Sequence, residues 1–387
     1  MASPARWRRL LTGPALALAA ALAAAGCASA TAGTSSTSSS TGANTPANGT
    51  AAITTAQARQ AFNSYVATTA TAIRTVDGKL ALSVVTGAQR SLVAASLKGI
   101  VSVCSTPSST GEGCFYGGHP NYSQYTYGTP MFYLPEPTGY PRFFVADVTR
   151  SVKGSKPAAG AVTSIGGAQV PVDGPALMLF EQSAATGPWK LASVSQFPAG
   201  STLPRLATDA NGHVPQIPLT SAGLLAQPYA TGPLQAAVVD DGPASAAAKA
   251  VAAGPLTTAM YQAARDRSGT RLQVPGGDVY QWDMEGTAYP AFALRTADGG
   301  ALVLYAMYLN STVAVPSYLN KGDPINPGPP IEIPLDLSPL LPANQPPPRV
   351  ALEQQDLLSF AAIDPAAGPS KIQVIAVGGG LNYAAAS

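Results

Sequence analysis

Tyr140-Pro141-Arg142-Phe143-Phe144-Val145-Ala146-Asp147-Val148 is the stretch on which the fold turns. Ahead of it, apolar residues recur at helical spacing. From it onward they come in short runs separated by turn formers, which is the pattern of strands. Ala176-Leu177-Met178-Leu179-Phe180-Glu181 is a second run, and Trp189-Lys190-Leu191-Ala192-Ser193-Val194 is a third, following the turn Ala185-Thr186-Gly187-Pro188. The short turn between the last two favours antiparallel pairing, since a parallel crossover needs a dozen or more residues. The region is therefore predicted to be an antiparallel meander.

Upstream, Thr54 followed by Gln57 has the spacing of a capping box. Phe62, Tyr65, Val66, Thr69, Ile73 and Val76 then predict a helix with one apolar face, broken at Asp77-Gly78. A second helical stretch runs through Leu80, Leu82, Val84 and Val85 to Gly87, and a third through Leu92 and Leu97. Helices followed by an antiparallel sheet make the class α+β. Between them lie Tyr116, Tyr122, Tyr125, Tyr127, Tyr133 and Tyr140 among glycines and prolines. Two readings stand for this stretch. The rings line a cleft that stacks on a sugar or another flat apolar ligand, or they cover a sheet while their hydroxyls stay wet.

Downstream, 201–253 holds Pro204, Pro215, Pro218, Pro228, Pro233 and Pro243 and is expected to be a join, with an Ala-rich helical piece at 243–253. A second unit follows. Thr257, Met260, Tyr261 and Ala264 suggest a helix, strands are expected at 277–284, 288–296 and 301–315, and Asp298-Gly299-Gly300 is a hairpin turn. The segment 352–360 fits helix or strand equally. A last strand, Lys371-Ile372-Gln373-Val374-Ile375-Ala376-Val377, is expected to end at Gly378-Gly379-Gly380, a glycine run with no following helix to make a phosphate cradle. Tyr289-Pro290-Ala291-Phe292-Ala293-Leu294 echoes Tyr140-Pro141-Arg142-Phe143-Phe144-Val145. That echo leads to two α+β domains, 53–200 and 254–387, each of helices plus a curved antiparallel sheet and read as divergent copies.

The N-terminal residues supply an address. Arg6, Arg8 and Arg9 precede an apolar run that ends in Ala24-Ala25-Gly26-Cys27, so 1–27 is expected to be a signal peptide with a lipid-accepting cysteine, Cys27. Ordinary cleavage and secretion is the alternative. Residues 28–52, nearly all Ser, Thr, Ala, Gly, Asn and Pro, cannot bury enough apolar surface to order themselves and are expected to be a disordered stalk. In an oxidising exterior Cys104 and Cys114 are expected to form a local disulfide, stabilising by ~2–3 kcal/mol. Export to the outer face of the cytoplasmic membrane, with the lipid as anchor, is the localisation these features imply.

Composition narrows the chemistry. With 387 residues and 46% hydrophobic side chains the chain can build real cores, while 11% charged residues and a net charge of +2 provide no basic field for nucleic acid. The two histidines, His119 and His213, have no Gly-x-Ser-x-Gly elbow to serve, and too few zinc ligands are in sight, so neither a metal nor a cofactor is expected. Asp283 and Glu285 alternate on one strand. They are a carboxylate pair for acid–base or cation work, or two acids on a sheet's wet face.

Two resemblances rest on these residues. Helices leading into a curved antiparallel sheet that ends in Trp189-Lys190-Leu191 resemble the cone-shaped fold of nuclear transport factor 2 and ketosteroid isomerase, and that resemblance implies a concave mouth for a small apolar ligand, with Tyr127, Tyr133, Tyr140 and Asp147 as the ligand-binding candidates. The leader with Cys27 and its stalk, Asp77-Gly78-Lys79-Leu80, Thr86-Gly87-Ala88, the Tyr140-Pro141 strand and Asp298-Gly299-Gly300-Ala301-Leu302-Val303 resemble a family of actinobacterial exported lipoproteins that carries a domain of unknown function. Tether, stalk and missing catalytic set lead to a non-enzymatic cell-envelope lipoprotein that binds a small molecule or an envelope-protein partner. A cone-pocket enzyme with isomerase- or hydratase-like acid–base chemistry, and a structural or assembly protein of the envelope, are the competing expectations.

Overall fold

The computed structural model describes residues 53–104, 125–136, 139–153, 161–270, 279–319, 324–325, 327–334, 337–342 and 344–387. The leader, the stalk, Cys27, Cys114 and the side chain of Cys104 lie outside the described residues, and with them the expected tether and disulfide. The described part belongs to a single compact unit, Thr50–Ser387.

The chain begins with α1 (Thr55–Thr75), started by the expected capping box: the Thr54 hydroxyl accepts the Gln57 N–H at 3.2 Å and Gln57 Oε1 accepts the Thr54 N–H at 2.9 Å. Val76, in the left-handed region at φ 53°, ends it. Asp77 then caps α2 (Gly78–Ser83) by accepting the Leu80 N–H at 2.9 Å, and α3 (Gly87–Cys104) follows. The tyrosine-rich stretch supplies two short strands, β1 (Tyr125–Tyr127) and β2 (Met131–Tyr133), which both pair with β3 (Arg142–Val152). A small hairpin, β4 (Val162–Ile165) and β5 (Ala168–Pro171), turns on Gly166 and Gly167, both at positive φ. The strands β6 (Gly174–Gln182) and β7 (Lys190–Gln196) complete the first half.

The second half has α4 (Thr231–Asp241), α5 (Thr258–Thr270), β8 (Val279–Gly286), β9 (Phe292–Arg295), β10 (Ala301–Ala314), the one-turn α6 (Pro316–Leu319), β11 (Ala351–Asp364) and β12 (Gln373–Ala386). Three expectations are revised here. The join contains α4, whose Gly232 and Pro233 mask it in sequence; Pro is tolerated in a first turn, and residues on several sides of the helix are buried, so no polar stripe marks it. The ambiguous 352–360 is strand. The last strand does not stop at the glycines but runs through them to Ala386.

All the strands but the β4–β5 hairpin join one antiparallel ten-stranded sheet, ordered β1-β3-β6-β7-β12-β11-β10-β8, with β2 also on β3 and β9 also on β10. The two halves expected as separate domains thus share a sheet, meeting at β7 and β12. Alternation assigns the faces. Phe144, Ala146, Met178 and Phe180 face α1 to α3, with Phe144 and Phe180 stacked at 4.8 Å. Val303, Tyr305, Met307 and Phe360 face α4, α5 and the β4–β5 hairpin. The remaining face of each half, with Phe143, Val145, Leu177 and Leu179 from one and Phe292, Leu294, Leu302 and Leu304 from the other, forms a common core. Phe143 and Phe292 lie 4.4 Å apart although β3 and β9 sit near opposite ends of the sheet, so the sheet coils until its halves face each other.

The segment 205–217 closes the gap. Ala207 N–H donates to Arg295 O and Ile217 N–H to Ala293 O, along the free edge of β9, while Val214 N–H donates to Leu134 O just beyond β2. Its Leu206 and Val214 are buried in the common core. No helix among the described residues is long and apolar enough to cross a membrane.

Candidate functional site

The four residues expected to share a ligand pocket stand in three places. Tyr127, opposite Arg150 on β3, lies on the helix face, edge-on to Phe62 at 5.5 Å and hydrogen-bonded to Tyr65; burial pushes both phenols up. Tyr133 and Asp147 lie toward the common core. Burial, reinforced by the nearby Asp147 charge, holds the Tyr133 hydroxyl at about 12, and burial raises the Asp147 carboxyl. Tyr140 lies apart from the other three and lines an open groove at one end of the sheet.

That groove has a volume of about 450 Å³. One wall is the flank of α1 carrying Gln57, Gln60 and Ser64. Its floor is the end of the sheet where β3 starts, β6 finishes and β7 begins, presenting Tyr140, Arg142, Gln182 and Trp189. Arg142 and Gln182 are direct cross-strand partners, which places the guanidinium and the amide side by side. The Arg142 guanidinium lies 4.9 Å from the Tyr140 ring centre, a cation–π arrangement, and Trp189 is held edge-on by Phe144 at 5.0 Å. Gln182 is braced by donating to Gly187 O at 2.7 Å. The result is two aromatic rings, one cation and several amides around a space within the size range of small-molecule sites. A wider groove of about 800 Å³ runs along the other flank of α1, between Arg59, Asn63, Tyr125, Tyr127 and Lys153.

The carboxylate pair Asp283 and Glu285 lies exposed on β8. What the spacing did not disclose is Asp240, which ends α4 against the free edge of β8 and accepts the Met284 N–H at 2.9 Å. Burial, with added repulsion from Asp283, Asp241 and Glu285, raises its carboxyl to about 7. Asp364, wholly buried at the end of β11, is raised to about 6 for the same first reason. Both carboxyls cover backbone: Asp364 accepts the Ala226 N–H at 3.3 Å. Glu136, Asp209 and His213 come together, with ligand atoms within 4.8 Å of one another. Sequence reading left His213 isolated because its neighbours arrive only when 205–217 closes the sheet.

No curated protein and no solved structure matches the chain. A family model described as a domain of unknown function, DUF8094, matches residues 49–381 and so covers nearly all the described fold, and the chain belongs to that family.

Proposed function

We propose that this protein is a tethered binding protein of the cell envelope, exported through 1–27, anchored by a lipid on Cys27 and carried on the 28–52 stalk, and that its α1 groove takes a small sugar-like ligand. The observation that carries the binding reading is the convergence of Tyr140, Arg142 and Trp189 with Gln57, Gln60 and Gln182 on one space. Aromatic faces stack on the apolar face of a ring, amides pair with hydroxyls, and the guanidinium favours an acidic substituent. The cores support recognition at the surface over chemistry in a cone pocket. Phe144, Phe180 and Met178 fill the first helix-covered space, Tyr305, Phe360 and Met260 the second, and each is buried.

We further read the halves as divergent copies of one cone-like unit. In its support, each half lays two short strands on one long strand, continues with two more strands, and meets the other through its last strand. In that correspondence β2 matches β9 and β3 matches β10, so Tyr140-Pro141 and Tyr289-Pro290 do not take equivalent places.

Isothermal titration calorimetry of the full mature chain with a panel of neutral and acidic envelope saccharides tests the groove. A saturable heat of binding is expected for at least one acidic member, lost in Trp189→Phe and weakened at least tenfold in Arg142→Gln. Binding that survives both substitutions would overturn the assignment. For the tether, Cys27→Ser should release the protein from the membrane fraction, and unchanged partition would refute lipidation.

A further inference from the structure

The loop 209–213 is built around one carboxylate. Asp209 Oδ1 accepts the N–H groups of Asn211 and His213, both at 2.8 Å, and the Asp209 N–H donates to His213 O at 2.8 Å. The other carboxylate oxygen, Oδ2, lies 3.8 Å from His213 Nδ1. That separation is too long for a hydrogen bond. His213 Nδ1 is nevertheless shut off from solvent and has no hydrogen-bond partner. From the first half of the chain, Glu136 follows Pro135, which bridges to Val214, and its carboxyl lies within 4.8 Å of the Asp209 carboxyl and the His213 imidazole. Two carboxylates this close repel one another unless a proton or a cation stands between them, and a buried imidazole nitrogen without a partner needs an electron-pair acceptor or donor. A single metal ion meets both needs.

We propose that Glu136, Asp209 and His213 bind one first-row divalent transition-metal ion of the zinc class, at the place where 205–217 closes the sheet. The donor set of one imidazole and two carboxylates suits such an ion; calcium takes six to eight oxygens and gains nothing from the nitrogen. The geometry is close to ready. Bonds of about 2.0–2.1 Å around a tetrahedral ion set neighbouring donors roughly 3.3–3.4 Å apart, so the 3.8 Å between Asp209 and His213 has to contract by about half an ångström and the pairs with Glu136, within 4.8 Å, by at most about 1.5 Å. Glu136 is exposed and its longer side chain can follow. The ion would tie the connector, itself bonded to the β9 edge, to the strand leaving β2, and three protein donors leave a position for water.

The test uses metal-stripped full mature chain titrated with zinc chloride alone, followed by calorimetry and by the unfolding midpoint. Because Cys27, Cys104, Cys114 and His119 are further possible ligands in the chain, the deciding quantity is the difference between wild type and Glu136→Gln or His213→Gln. Wild type is expected to bind with a zinc-dependent rise in midpoint, and each variant to lose at least tenfold in affinity together with that rise. Glu136→Gln, at an exposed position, should keep the metal-free midpoint. Zinc affinity unchanged in both variants, or no zinc binding by wild type, would overturn the proposal; equal stabilisation by calcium would overturn the choice of ion.

Discussion

Replacing Gly378 with alanine should come close to separating the two halves of this protein. Gly378 lies on β12 where that strand meets β7, and a Cβ built there would stand 1.8 Å from the carbonyl oxygen of Val194 and 2.8 Å from its carbonyl carbon. Ordinary contact between such atoms begins near 3.2 Å, so the strands must part by more than an ångström. The obstacle is backbone, which no rotamer change relieves. Its neighbour Gly379 allows no escape, since φ there is +127° and a Cβ would meet Leu357 O of β11 at 2.1 Å. Overpacking of this kind typically costs ~1–3 kcal/mol, and each inter-strand hydrogen bond lost as β12 withdraws from β7 adds ~0.5–1.5 kcal/mol. A loss of at least ~3 kcal/mol is therefore expected. Urea unfolding monitored by far-ultraviolet circular dichroism would measure it, with Gly286→Ala as the matched control. Gly286 sits at the end of the edge strand β8 with nothing within 4 Å of a built Cβ, and its change should stay within about 0.5 kcal/mol. A cost below ~1 kcal/mol for Gly378→Ala would refute the claim that the missing side chain permits the β7–β12 seam.

Two other predictions follow from buried polar groups. Gln235 accepts from the Tyr305 hydroxyl at 2.7 Å and donates to Leu256 O at 2.8 Å inside the second core, so Gln235→Leu should cost ~2–4 kcal/mol by stranding both partners, and adding Tyr305→Phe should recover part of that in a double-mutant cycle by unfolding. Asp240 has a folded-state pKa of about 7, above its ordinary 3.8. The folded state therefore holds its proton more tightly than the unfolded chain, and the associated stability is full below about pH 4 and is lost as the pH rises toward and through 7. Asp240→Asn keeps an acceptor for the Met284 N–H and should flatten the decline of stability between pH 5 and 8. Solvent screening at this half-buried site keeps the change below the ~1.4 kcal/mol per pH unit of a fully linked proton. An unchanged slope in urea unfolding across that range would contradict the assignment.

The local grammar of the chain was readable because each signal acts over a few residues. Thr54 and Gln57 cap a helix by their own contacts, Asp298-Gly299-Gly300 turns one hairpin, and alternation in 143–148 and 301–307 shows two buried faces wherever the strands end up. What escaped depends on partners far along the chain. The pairing of β12 with β7 is carried by the absence of a side chain at Gly378, and that of β12 with β11 by its absence at Gly379, and an absence has no periodicity to detect. The stretch 205–217 lacks a strand pattern because its bonds to β9 are interrupted by the loop 208–214, whose Asp209 and His213 face Glu136, more than 70 residues earlier in sequence. Tyr127, Tyr133 and Tyr140 were visible as a cluster in sequence. Their separation was not, because strand alternation sends Tyr127 and Tyr133 to opposite faces of the sheet and leaves Tyr140 ahead of β3.

Coiling the sheet until its halves meet has a consequence for where recognition can occur. A curved antiparallel sheet covered by helices on one side can leave a concave face free to hold a ligand. Here the helix-facing concavities are filled by large side chains, and the other faces are consumed by their mutual contact, with Phe143 against Phe292 at its centre. Groups able to meet a ligand are thereby pushed to strand ends and connectors. Tyr140, Arg142, Gln182 and Trp189 occupy the ends of three neighbouring strands, and Glu136, Asp209 and His213 occupy the connector that closes the sheet. The rigid stack of Phe144 and Phe180 behind Trp189 then has a second role beyond stability. It backs the floor of the groove through the Phe144–Trp189 contact, so that, on the proposed binding reading, substitutions such as Phe180→Leu should loosen ligand binding without changing the identity of any lining residue.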